Sequence, residues 1–199
     1  RRAPSDAARE ALRELEGLGV DVRTHEADAA DRARLAAVFE VIRSTRPPLR
    51  GVVHAAGSLN DAVLSRQRWS DCRAVLANKA HGAWNLHALA RDLPLDFFVL
   101  YSSAVVVLGS PGQGVYPAAN AQLDALAGAR RRMGLPALSV QWGVWGSGGM
   151  ADRLAAPGRD SWADRGLARI APVQGFAALE QLLREDTSCV AFLPINWRR

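Results

Sequence analysis

Four polar side chains carry the chemistry available to this sequence. Ser103 follows directly after an apolar run from Asp96 to Ser102. Tyr116 lies 13 residues after Ser103, at the start of a helical stretch, and Asn120 lies four residues beyond Tyr116. An i, i+4 pair shares one helix face, so Tyr116 and Asn120 both face whatever Ser103 faces. A phenol becomes a useful acid only when its high pKa is lowered. A neighbouring ammonium does that, and Lys79 is the only lysine among the 25 basic residues. The rest are arginines, which stay protonated at any usable pH. Taken singly, Ser103 suits a turn, Asn120 a helix surface, Tyr116 a cleft rim and Lys79 a chance surface position. Together they offer proton donation by an activated phenol.

These side chains need a frame. Short apolar runs at Val20 to Thr24, Gly51 to Ala56, Asp96 to Ser102, Ala137 to Trp142 and Cys189 to Leu193 read as strands. Helical spacing covers 6–17 after an N-cap at Ser5, then Asp31 to Thr45 before Pro47 and Pro48. Further helices are expected at about 67–91 (with Leu76, Trp84, Leu86 and Leu89 apolar), at 115–133, and from Pro172 to Glu185. Strands alternating with helices, apolar on both faces, predict an α/β fold: a doubly wound parallel sheet in a single domain spanning 1–199. Ligands bind such sheets beyond the carboxyl ends of the strands. That brings Ala55 to Leu59, Ser102 to Leu108 and Trp142 to Gly149 to one cleft.

Composition narrows the function classes. The chain has 199 residues, 49% of them hydrophobic, enough for one sizeable core. No apolar run approaches the ~20 residues that span a bilayer, and Arg1, Arg2, Ala3 and Pro4 do not open a signal peptide. Cys72 and Cys189 lie far apart and fit no metal spacing, so both read as reduced structural thiols of a cytoplasmic protein. The net charge is +5, but the arginines are dispersed among Asp and Glu. Their one dense cluster, Arg130 to Arg132, reads as a solvated helix end rather than a nucleic-acid footprint.

NKAHGAWNLH around Lys79 and LYSSAVVVLGSPGQGVYPAANAQLDALA around Tyr116 resemble the ketoreductase domains of modular type I polyketide synthases, in the short-chain dehydrogenase/reductase superfamily. DAADR at 28–32, GVVHAAG at 51–57, QWGVWGSGGM at 141–150 and the closing INWR extend the likeness over nearly the whole chain. In most of the superfamily the lysine stands four residues after the tyrosine. Here Asn120 holds that place and Lys79 lies upstream, as in the polyketide ketoreductases. The resemblance implies a Rossmann-like fold and reduction of the β-keto group of a chain carried by phosphopantetheine on an acyl carrier protein. NADPH would supply the hydride. Tyr116 would donate the proton, Ser103 would hold the carbonyl oxygen, Lys79 would bind the ribose and relay protons, and Asn120 would order a relay water. Arg1 or Arg2 would meet the cofactor 2′-phosphate, with Asp28 and Ala29 near the adenine. Ala55, Ala56, Gly57, Trp142, Gly143 and Val144 would complete the cofactor site.

The chain departs from the family pattern in places. No GxGxxG-type loop precedes residue 51, so the family's N-terminal strands and phosphate loop are expected on a further segment, and the chain reads as the C-terminal part of the catalytic domain. One stereochemical subclass carries tryptophan eight residues before the tyrosine, where this chain has Leu108. The other carries Leu-Asp-Asp after the HAAG turn, where this chain has Leu59, Asn60 and Asp61. With Pro111, this is closer to the second, B-type subclass, which gives a D-hydroxyl. Residues 143–168, including Met150, resemble the family's lid over the pantetheine arm. A reduction-inactive scaffold and a non-redox nucleotide-binding module are the rival readings.

Overall fold

The computed structural model describes residues 5–60, 62–110, 112–146, 163 and 166–196. Arg1, Arg2, Asp61, Pro111, Met150 and most of 147–165 lie outside them. Helix α1 is Asp6–Gly17, opened by Ser5, whose hydroxyl accepts from the Ala8 amide at 3.2 Å. Helix α2, Arg32–Thr45, is capped the same way by Asp31, which accepts from the Arg34 amide at 3.1 Å.

Strands β1 (Gly51–His54), β2 (Phe97–Ser103), β3 (Leu138–Trp142) and β4 (Cys189–Phe192) form one sheet in the order β1-β2-β3-β4, every pair parallel. Between β1 and β2 come α3 (Trp69–Leu76), a π-helical turn (Ala77–His81) and α4 (Gly82–Ala90). A one-turn helix α5 (Val105–Leu108) and the long α6 (Val115–Arg132) join β2 to β3, and α7 (Pro172–Leu182) precedes β4.

Alternation along the strands divides the core. Val52, Phe98 and Leu100 pack on one face against Ala83 and Ala90 of α4 and Leu123, Leu126 and Ala127 of α6. Leu138, Val140 and Trp142 point the other way, with Ile170, against Leu179 and Leu182 of α7. This is the parallel α/β sheet that the alternating pattern predicts, with four strands among the described residues in place of the five expected.

Several expected elements differ. Val20 to Thr24 is not a strand; no parallel neighbour pairs with it among the described residues, and a strand without a ladder leaves its amides to water. β1 stops at His54 rather than Ala56. The next carbonyl on β2, that of Tyr101, accepts the Lys79 ammonium. The expected helix over 67–91 is broken by the π turn, whose extra residue shifts the helix phase by about 100°. Ala83, His87 and Ala90 therefore face inward, and Trp84, expected among the apolar positions, is 46% exposed. Arg130 is not at a solvated helix end. It is 1% exposed, lies over the Phe98 ring at 3.9 Å, and donates to Pro136 O (3.1 Å) and to His87 Nδ1 (2.9 Å).

Candidate active site

The carboxyl ends of β1, β2 and β3 bring the predicted residues to one edge. Ser103 is the last residue of β2, and its Oγ accepts from the Val105 amide at 3.4 Å, which turns the chain into α5. Tyr116 occupies the first turn of α6, and Asn120 lies one turn on. Asn120 is fully buried and ties α6 to itself and to β2. Its Nδ2 donates to Tyr116 O at 2.8 Å, and its carbonyl accepts from Ser102 Oγ at 3.4 Å. Its Oδ1 is buried without a hydrogen-bond partner.

Lys79 comes from the π turn and is 2% exposed. Its ammonium donates to Tyr101 O at 2.6 Å and sits 5.6 Å from the centre of the Tyr116 ring. Burial pulls its pKa from 10.5 down to about 8, and the Asp124 carboxylate opposes that shift. Asp124 continues the i, i+4 row of Tyr116 and Asn120 on α6. It accepts from Ser139 Oγ at 2.6 Å and Gln141 Nε2 at 2.8 Å, pinning α6 to β3. Its proximity also pushes up the Cys189 thiol, already raised by burial, to about 11, so that thiol stays protonated.

The expected cofactor and substrate residues are placed unevenly. Ala55 and Ala56 are exposed beyond β1 and lead into Gly57. Asp28 turns back on itself, Oδ1 accepting from the Ala30 amide at 3.0 Å, while Asn85 of α4 donates to the carbonyls of Ala29 (2.9 Å) and Ala30 (3.1 Å). Gly143 donates to Phe192 O at 3.0 Å, and Val144 O accepts from Ile170. Trp142 is 3% exposed, its ring packed among Tyr101, Trp145 and Phe192, because β3 alternation turns it toward α7.

The segment after the β1 turn is anchored at three points. Asn78 Nδ2 donates to Ser58 Oγ (2.8 Å), Gln67 Nε2 donates to Asn60 O (3.1 Å), and Ala62 bridges to Gln113, three residues before Tyr116. Leu59 is half-buried, Asn60 exposed, and Leu108 is 42% exposed at the end of α5. Sequence reasoning missed Asp124, Asn78, Gln67 and His54. Asp124 had a visible signal, its helical phase with Tyr116 and Asn120. Asn78 and His54 depend on contacts 20 and 25 residues away in sequence, and Gln67 on the fold of the loop that brings it back to Asn60.

Comparison with known proteins agrees with this geometry. The family model of the KR domain matches residues 1–147. The phenolphthiocerol synthesis polyketide synthase type I Pks15/1 of Mycobacterium marinum is 42% identical over 180 residues, which are 90% of this chain and 9% of that protein. Erythronolide synthase EryA2 of Saccharopolyspora erythraea is 39% identical over 98% of this chain and 5% of its own length. The chain thus spans less than a tenth of the length of these relatives. Among solved structures, A-type ketoreductases from a modular polyketide synthase superpose with a TM-score of 0.88 at 41% identity, covering 97% of this chain and 40% of theirs. The first ketoreductase of the tylosin synthase gives 0.85 at 41% identity, over 98% of this chain and 42% of its own. The parallel sheet, the KR match and these relatives place the chain in the ketoreductase domain family of modular type I polyketide synthases, within the short-chain dehydrogenase/reductase superfamily.

Proposed function

We propose that this domain reduces the β-keto group of a polyketide intermediate carried on an acyl carrier protein, using NADPH. The observation that carries the reading is the buried Lys79 ammonium beside the Tyr116 ring. The fold implies a nicotinamide cofactor, and the edge of the sheet fits one: small exposed residues at Ala55 and Ala56, and a buried cation beside a phenol. Asp28 and Ala29, the Ala55–Gly57 turn, the main chain of Trp142 to Val144, Lys79 and Tyr116 would hold it, with Arg1 or Arg2 at the 2′-phosphate. When bound, the cofactor supplies the hydride.

The chain's own residues do the rest. Ser103 Oγ–H and the Tyr116 phenol donate to the substrate carbonyl oxygen and hold the charge that develops there. The carbonyl π pair moves to that oxygen, which takes the Tyr116 proton. The Lys79 ammonium stabilises the phenolate left behind and returns a proton to it. Asn120 Oδ1, buried without a protein partner, is suited to a water on that route. The anchored segment Ser58–Asn60 supports a wall beside the substrate. With Leu rather than Trp at 108, we read the product as B-type, a D-β-hydroxyl. Asp61, Pro111 and Met150 belong to this reading from sequence.

Among the described residues no strand pairs with the outer edge of β1, which supports a further element of the proposal: the phosphate-binding half of the domain lies on a further segment, and other synthase domains are its neighbours. The test is oxidation of NADPH with a β-ketoacyl thioester, followed by chiral analysis of the alcohol. Tyr116→Phe is expected to cut turnover ~10²- to 10⁴-fold with NADPH binding retained. An intact parent polypeptide with no turnover sinks the reading and returns the scaffold alternative.

A further inference from the structure

His54, the last residue of β1, has no part in the chemistry above, yet it makes one of the best-defined polar contacts near the site. It is 3% exposed, and its Nε2 lies 3.0 Å from the carbonyl oxygen of Lys79. A carbonyl only accepts, so Nε2 carries the hydrogen and Nδ1 does not. Burial first, and the Lys79 charge besides, drive the His54 pKa down to about 4, which leaves the ring a neutral donor at working pH.

The carbonyl it holds belongs to the π turn. There the Gly82 amide reaches both Ala77 O and Lys79 O. The ring comes this close because residue 82 has no side chain: a Cβ there would stand 3.2 Å from His54 Cε1 and 3.1 Å from the Ala29 methyl. Lys79 is therefore held at both ends by neighbouring strands, its main chain by His54 on β1 and its ammonium by Tyr101 O on β2. A π turn carries one more residue than an α turn, so its loss would rotate Lys79 about 100° relative to α4.

We propose that His54 is a positioning residue. Its Nε2–H fixes the π turn and so aims the Lys79 ammonium at Tyr116. This inference rests on the reductase reading. The experiment therefore compares His54→Leu, His54→Gln, Lys79→Arg and the double variant His54→Leu/Lys79→Arg in the intact polypeptide, by kcat, KM for NADPH and melting temperature. Glutamine places an amide N–H near Nε2 and is expected to restore most of the activity. His54→Leu is expected to lower kcat at least tenfold. In the Lys79→Arg background the same change should add less than threefold, because the two residues act through one ammonium. Additive losses, or a glutamine variant no better than leucine, would show a merely structural histidine. A nitrogen NMR spectrum showing His54 protonated at Nδ1 in the folded protein would also overturn the proposal, whatever the kinetics. If Lys79→Arg alone keeps parental turnover, there is no Lys79 function for His54 to serve and the proposal fails, whereas an intact parent without turnover fails the reductase reading instead.

Discussion

The Lys79 ammonium works against its own burial. At 2% exposure its charged form is disfavoured, and the Asp124 carboxylate recovers only part of that. With a pKa near 8, Lys79 is charged below that pH and neutral above it. The proposed mechanism needs the charged form, so kcat/KM for reduction should fall as pH rises through about 8. Asp124→Asn removes the group that raises the Lys79 pKa, and the falling limb should move to lower pH. A limb that stays in place in this variant assigns it to another group. Stability runs in the opposite direction. Between about 8 and the ordinary value of 10.5 the unfolded chain binds the proton that the folded one has lost, so stability gains with rising pH across that window. Lys79→Arg keeps a charge that cannot be given up and replaces a compact amine with a planar fork. It is expected to slow turnover on the order of 10²-fold, within the range typical of lost proton transfer. Near-parental turnover would make the lysine incidental.

At the scale of elements, what could be read from the sequence follows from local physics. The continuous apolar run in FFVLYSS, the N-cap at Ser5 and the helical spacing from Asp31 to Thr45 gave β2, α1 and α2 nearly to the residue. Ser103, Tyr116 and Asn120 were legible because a strand end and one helix turn separate them. The π turn was not legible. Nothing in NKAH departs from helical propensity, and the turn is held by His54, 25 residues upstream. The missing strand at Val20 to Thr24 has the converse cause: strand propensity was present, but no partner ladder is. The pairing of α7 with the sheet also depends on contact rather than propensity. Gly175 is buried inside α7, and a Cβ there would run into the six-membered ring of Trp145. That indole is packed against Tyr101, Trp142 and Phe176 and cannot swing aside. Alanine should gain up to about 1 kcal/mol in helix propensity. The overpacking it forces costs about 1–3 kcal/mol. Gly175→Ala is therefore expected to lower the melting temperature by several degrees. An unchanged or raised melting temperature would mean that α7 can slide on the sheet.

For the molecule as a whole, the informative surface is β1. Its hydrogen-bonding groups are satisfied by β2 on one side, and no strand pairs with the other side among the described residues. Val53, on the face opposite α4, is 52% exposed in the middle of an apolar strand. In a parallel sheet both faces are normally covered and inner strands are paired on both edges. Leu18, just before the segment expected to be a strand, and Val20, its first residue, are exposed at 79% and 49%. A row of open donors and acceptors, a bare apolar face and a strand-prone segment without a partner have one common remedy, namely further parallel strands beside β1. We infer that a further segment carrying the phosphate-binding loop supplies them. Residues 1–199 alone should then melt over a broad range and bind NADPH weakly. Adding such a segment should sharpen the melt into one cooperative transition and tighten NADPH binding more than tenfold. It should also protect the amides of β1 from hydrogen exchange, since their partners would then be in place. A cooperative melt and tight NADPH binding by the 199 residues alone would show that β1 is a true outer edge and that the cofactor site is complete without further strands.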